Sequence, residues 1–108
     1  MANIFKNQYT DLGTSNSDVV NAIASGTGIV LTLRCTNVDG TNDATVTVEV
    51  VDGSSGDAKI ASTMTVPADS SLELAGTSKI VLETGDKIQA LASASGDIEV
   101  FASYLNIT

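Results

Sequence analysis

The densest sets of oxygen donors in this 108-residue sequence lie in two short acidic segments, one holding Asn37, Asp39, Asn42 and Asp43 and the other Asp52 and Asp57. Oxygen-rich loops of this kind can collect a hard cation such as calcium. Neither segment has the spacing of an EF-hand loop, and Asp-Gly and Asn-Asp steps are also ordinary turn residues, so turn chemistry is the stronger reading and no metal is expected. Glu73, Glu83, Asp86 and Glu99 could in principle supply a pair of carboxylates for glycoside hydrolysis. Each reads instead as an exposed strand or turn residue, and a chain with two Phe, two Tyr and no Trp offers little platform for a sugar ring.

Other chemistries lack their parts. The sequence has no histidine, the usual neutral-pH base and metal ligand, so its many serines have no imidazole to activate them. No Gly-x-Ser-x-Gly elbow and no Gly-Lys-Ser/Thr phosphate loop is present. The one cysteine, Cys35, excludes an intrachain disulfide and a thiolate zinc cage, and its place in an alternating apolar set predicts burial. An enzyme is therefore not expected, nor is a cofactor.

Thirteen acidic residues against five scattered basic ones (Lys6, Arg34, Lys59, Lys79, Lys87) give a net charge of -8. Binding to nucleic acid by counterion release needs a basic stripe, which is missing, and the same balance disfavours anionic membranes. No segment has the length of a membrane span, and the first ten residues lack the basic flank and apolar core of a secretory signal, so synthesis in a cytoplasm is expected. With 43% hydrophobic and 17% charged residues the chain is too apolar for disorder. Its length suits one domain.

The elements that would carry any site are strands. Turn residues recur at short intervals, a rhythm of sandwiches and barrels. Segments are expected at about residues 4–12, 18–24, 28–37, 44–52, 58–66, 70–74, 79–83, 86–94 and 97–106. The last two, split by Ser95 and Gly96, read as a closing β-hairpin. Val46, Val48 and Val50 alternate with Thr45, Thr47 and Glu49, placing one dry face against one wet face. In the preceding segment Ile29, Leu31, Leu33 and Cys35 form the expected buried set, with Thr32 and Arg34 outward, and the two segments are expected to be paired as a meander around Asp39 and Gly40. Only residues 17–24 suggest a helical turn. The expected fold is thus all-β, a single antiparallel sandwich, jelly-roll or immunoglobulin-like, of eight or nine short strands. Residues 18–108 form its body, and residues 1–17 are either an arm or an edge strand.

All four aromatics, Phe5, Tyr9, Phe101 and Tyr104, fall in the first and last segments, which implies that the two ends are neighbours. Phe and Tyr suit oligomer and partner contacts, so these four are the candidate interface.

The order Val66 to Leu74, Ile80 to Ile88, Ala90 to Ile98 and Val100 to Ile107 resembles small virion proteins of tailed bacteriophages. The shared pattern is a strand, a Pro turn, a Leu-Glu-x-Gly-Asp-x-Ile step, a small-residue strand and a terminal Ser-Tyr-Leu-x-Ile. Leu31 to Asn37 followed by Ala44 to Val48 is similar to the same group. The resemblance implies a non-enzymatic virion component: a capsid decoration (cement) protein on the major capsid protein lattice, or a neck, tail or baseplate accessory. Its partner would be that capsid protein or another virion protein, and the chain itself a homo-oligomer, dimer or trimer. A tail-borne module binding glycans or a host surface, and a calcium-stabilised adhesion module, are the alternatives from other classes.

Overall fold

The computed structural model describes residues 2–53, 56–75 and 78–108. They form nine strands, with no helix among the described residues: β1 (Asn3–Asp11), β2 (Ser17–Val20), β3 (Thr27–Asn37), β4 (Ala44–Asp52), β5 (Gly56–Val66), β6 (Ser71–Glu73), β7 (Ile80–Leu82), β8 (Lys87–Ala92) and β9 (Ile98–Ile107). Alternating Val and Thr in β4 illustrate why: β-branched side chains pack well on a pleated surface, and their period of two sends the valines inward.

Two antiparallel sheets face each other. One runs β1-β9-β3-β6, with β7 also on β3; the other runs β2-β8-β4-β5. Because β6 and β7 take successive stretches of the same edge of β3, nine strands fill the eight places of a jelly roll. The pairings are nested about the middle of the chain: Tyr9 lies opposite Phe101, Ser17 opposite Ala90, Arg34 opposite Glu73, and Ala44 opposite Val66. The molecule is one long hairpin, rolled so that β9 also pairs with β3 and β8 with β4. Leu12, Leu33, Leu82, Ile88, Ile98 and a set of valines fill the space between the layers.

This topology overturns two expected pairings. The segments around Ser95 and Gly96 are not a hairpin, because β8 and β9 belong to opposite sheets. Between them residues 93–97 turn a corner stitched to other loops: Ser93 N–H donates to Thr45 O, Gly96 N–H to Leu12 O, and Val38 N–H to Asp97 O. Likewise β3 and β4 are not a meander; the chain crosses between layers at residues 38–43. A polar Gly-containing linker between two alternating segments looks the same in either geometry. Residues 17–20 are strand, not helix, since β8 offers them a ladder partner.

The expected buried face of β3 is correct only in its second half. Leu31 is an extra residue: Val30 lies opposite Tyr104 and Thr32 opposite Ser103. This bulge reverses the alternation, so Gly28 and Val30 point inward before it, Leu33 and Cys35 after it, while Ile29 and Leu31 stay partly exposed. Edge strand β5 is also irregular. Ser62 and Thr63 together oppose Thr47, and Thr63 has a φ of 48° with its N–H donated to Thr47 Oγ1. Such kinks blunt an edge against pairing with another chain.

Several polar side chains replace missing ladder bonds. Where β6 ends, Glu73 Oε2 accepts the N–H groups of Leu33 (2.8 Å) and Ala75 (3.0 Å). Asp86, expected at the surface, is buried, accepting from Gly53 N–H and Glu83 N–H and so tying two turns together. Asn37 is fully buried; its amide donates to Asn42 O and Val66 O, and its oxygen accepts from Asp39 N–H. An alanine there strands three groups, so Asn37→Ala should lower the free energy of unfolding in urea by about 3 kcal/mol. Val38→Ala, at an exposed neighbour, should change it by less than about 0.5 kcal/mol.

Candidate functional site

In the 37–43 loop, Asp39 Oδ1 accepts the N–H groups of Thr41 (2.8 Å) and Asn42 (3.3 Å), and Oδ2 accepts from Asn42 Nδ2 (3.4 Å). These backbone donors hold the Asp39 carboxyl below its ordinary pKa. The oxygens a cation would take are thus turned onto the loop's own donors, and among the described residues no three acidic, His or Cys side chains gather. The second loop contains Ser54 and Ser55, which lie outside the described residues.

The two outer faces of the sandwich differ sharply. On the four-stranded sheet, neighbouring positions of β2, β8, β4 and β5 carry Asp18, Gln89, Glu49 and Lys59 in one row. Gln89 Nε2 donates to Asp18 Oδ1 (3.1 Å), Lys87 pairs with Asp18 and Lys59 with Glu49 (both 3.3 Å), and Asn16 Nδ2 donates to Glu49 Oε1. Glu49, expected to meet water, is covered by these partners and buried. This face satisfies itself.

The opposite face does not. Across β1, β9, β3 and β7 the register sets Phe5, Leu105, Ile29 and Val81 in one apolar row. Nearby, Tyr9 lies directly opposite Phe101, and beyond Phe101 come Arg34 and Glu73, an ion pair at 3.6 Å. Phe5 is 73% exposed, Tyr9 61%, Val81 60% and Phe101 45%. The Tyr9 hydroxyl donates to Asp11 Oδ2 (2.9 Å), and that carboxylate raises the phenol's pKa. Three of the four sequence-selected aromatics are thereby gathered on one surface, joined by Leu105, Ile29 and Val81. Tyr104 is not among them: one residue's parity turns it to the inward side, where it is buried. Sequence reading missed Ile29 because the bulge at Leu31 was hidden, and missed Val81 because a three-residue strand gives too little alternation to assign its face.

No family model matches the chain, and no curated protein sequence does. Similar folds appear among solved structures. One is a protein of Bacillus endospore appendages, described as a novel family of disulfide-linked pili, 13% identical with a TM-score of 0.55, covering 97% of this chain and 86% of that one. Two structures of a pentameric capsid protein from metagenomic phage sequences are 18% identical with TM-scores of 0.45; the overlap covers 93% of this chain but only 61% and 59% of theirs. At these identities the likeness is one of fold.

Linkage by disulfides needs exposed thiols, whereas Cys35 is the one cysteine here and is fully buried. Burial, with the Glu73 charge adding to it, pushes its thiol up to about 12 from an ordinary value of 9.0. An unfolded chain releases that proton near 9.0 while the folded chain keeps it, so the unfolded state binds fewer protons and stability falls as pH rises between those values. Urea unfolding above pH 9 should show wild type losing about 1.4 kcal/mol per pH unit relative to Cys35→Ala, with no difference in slope below pH 8.

Proposed function

We propose that this chain is a non-enzymatic structural component of a tailed-phage particle, a decoration protein that adheres to the major capsid protein lattice through the outer face of the β1-β9-β3 sheet. The observation that carries the reading is the asymmetry of the two faces. One closes its hydrogen bonds and ion pairs within itself, and the other leaves Phe5, Tyr9, Phe101 and Val81 in water. Large aromatic side chains bring much apolar area to an interface and lose little rotamer entropy on docking. The sequence resemblance to small virion proteins supplies the kind of partner, and the empty catalytic inventory agrees with it.

A sandwich measuring 47 × 25 × 21 Å, with no helix among the described residues, suits repeated placement on a particle. Self-association into a dimer or trimer places several such faces on one unit and raises avidity without new contacts. Nucleic acid is a poor partner for a chain of net charge -8.

Phage particles produced from a genome encoding this chain should contain it in many copies by quantitative mass spectrometry. The double variant Phe5→Ser with Phe101→Ser should melt at a temperature close to wild type, because both side chains are already exposed, yet be depleted from particles by about tenfold or more. Particles lacking the wild-type chain refute the reading.

A further inference from the structure

On the inward side of β1, where residues 21–25 cross one end of the sandwich, a cavity of about 320 Å³ is lined by Lys6, Asn21, Ser25, Tyr104 and Asn106 among others. That volume is near the lower end of small-molecule sites, roughly 300–1,000 Å³. Its chemistry is one-sided. No Asp or Glu lines it, although the chain carries thirteen.

Lys6 and Tyr104 are cross-strand partners on β1 and β9. Arg34, Lys59 and Lys87 are ion-paired and Lys79 is engaged as well, which leaves Lys6 as the cation without a partner among the described residues. Tyr104 is only 8% exposed, and its hydroxyl, which meets no hydrogen-bond partner among the described residues, is the part of it that reaches solvent, at the cavity. Gln8 fixes the third group: its Nε2 donates to Asn21 Oδ1 and its Oε1 accepts Asn21 N–H, so the Asn21 amide is held by its oxygen and its NH₂ end is left over. Asn106 spends its own NH₂ on Ser25 O and Thr27 O, shaping the wall.

We infer that this cavity is a carboxylate-binding site, in which the Lys6 ammonium supplies the counter-charge and the Tyr104 hydroxyl and Asn21 amide supply hydrogen bonds. Three unspent donors and no acidic lining select an anion with acceptor oxygens, and the cavity's size suits a short carboxylate. The carboxylate comes either from a small free acid or from an acidic side chain of a second copy. The site lies on the opposite side of β1 from Phe5 and Tyr9, so it stands apart from the adhesive face.

Glutarate titrated into dilute ¹⁵N-labelled protein should produce saturable shifts at the Asn21 side-chain amide and the Tyr104 ring. Neutral glutaramide should not, and Lys6→Met should weaken the glutarate response by about tenfold. Tyr104→Phe, which keeps the ring in the core, should weaken it while leaving the fold's spectrum intact. If glutarate has no effect but the same resonances shift on raising protein concentration, and Lys6→Met abolishes that shift, the carboxylate belongs to a second copy. No saturable response in either arm, or an equal response to glutaramide, overturns the inference.

Discussion

The antiparallel lie of the first half of the chain on the second is the constraint from which the other features follow. β1 pairs with β9, β2 with β8, β3 with β6 and β7, and β4 with β5, so each strand's ladder partner sits at a mirrored distance from the chain's midpoint. Joining residues as distant as Asn3 and Ile107 directly closes a very long loop. Pairing that spread outward from β4 and β5 would divide that closure into short steps, each adding little loop entropy. Rolling the ribbon then lets β9 meet β3 and β8 meet β4, and this second set of ladders encloses the core. The outermost arms, β1 and β9, are both sequence termini, which is why the aromatics of the two ends share one sheet.

Much of this was legible in the residues. Nine segments of alternating character correspond to nine strands, and the Val and Thr of β4 announce their faces directly. Pairing was less legible, because alternation tells a strand which side is dry and says nothing about which strand lies beside it. The corner at Ser95 and Gly96 has the composition of a hairpin turn, yet the burial of Ile88, Ala90, Ile98 and Val100 is served equally well by placing β8 and β9 in facing layers. The bulge at Leu31 is similarly silent: the consecutive apolar residues Ile29, Val30 and Leu31 fit either parity, and the choice is made by where Tyr104 and Ser103 stand on β9. Asp86 and Glu49 look wet in sequence because their partners come from distant segments that local sequence does not connect.

The same register that builds the sheet also builds its surfaces. A polar row closed by Asp18, Gln89, Glu49 and Lys59 can neither gain nor lose much by touching another protein, since its charges already have partners. The row of Phe5, Leu105, Ile29 and Val81 has no such closure, and burying it is favourable at about 25 cal/mol per Å² of apolar area. Parity along β1 and β9 divides the two sides: odd positions such as Phe5 and Tyr9 face outward, while Lys6 and Tyr104 line the open cavity at one end of the sandwich. One pair of strands thus carries both an exposed apolar face and a small polar cavity.

The most direct measurement is a cryo-electron microscopy reconstruction of an intact particle carrying this chain, at a resolution that places side chains. Phe5, Tyr9 and Phe101 should be found against a neighbouring protein, with the Asp18–Lys59 row in solvent. Density in which the aromatic face points to solvent and the polar sheet makes the contact would contradict the adhesive assignment.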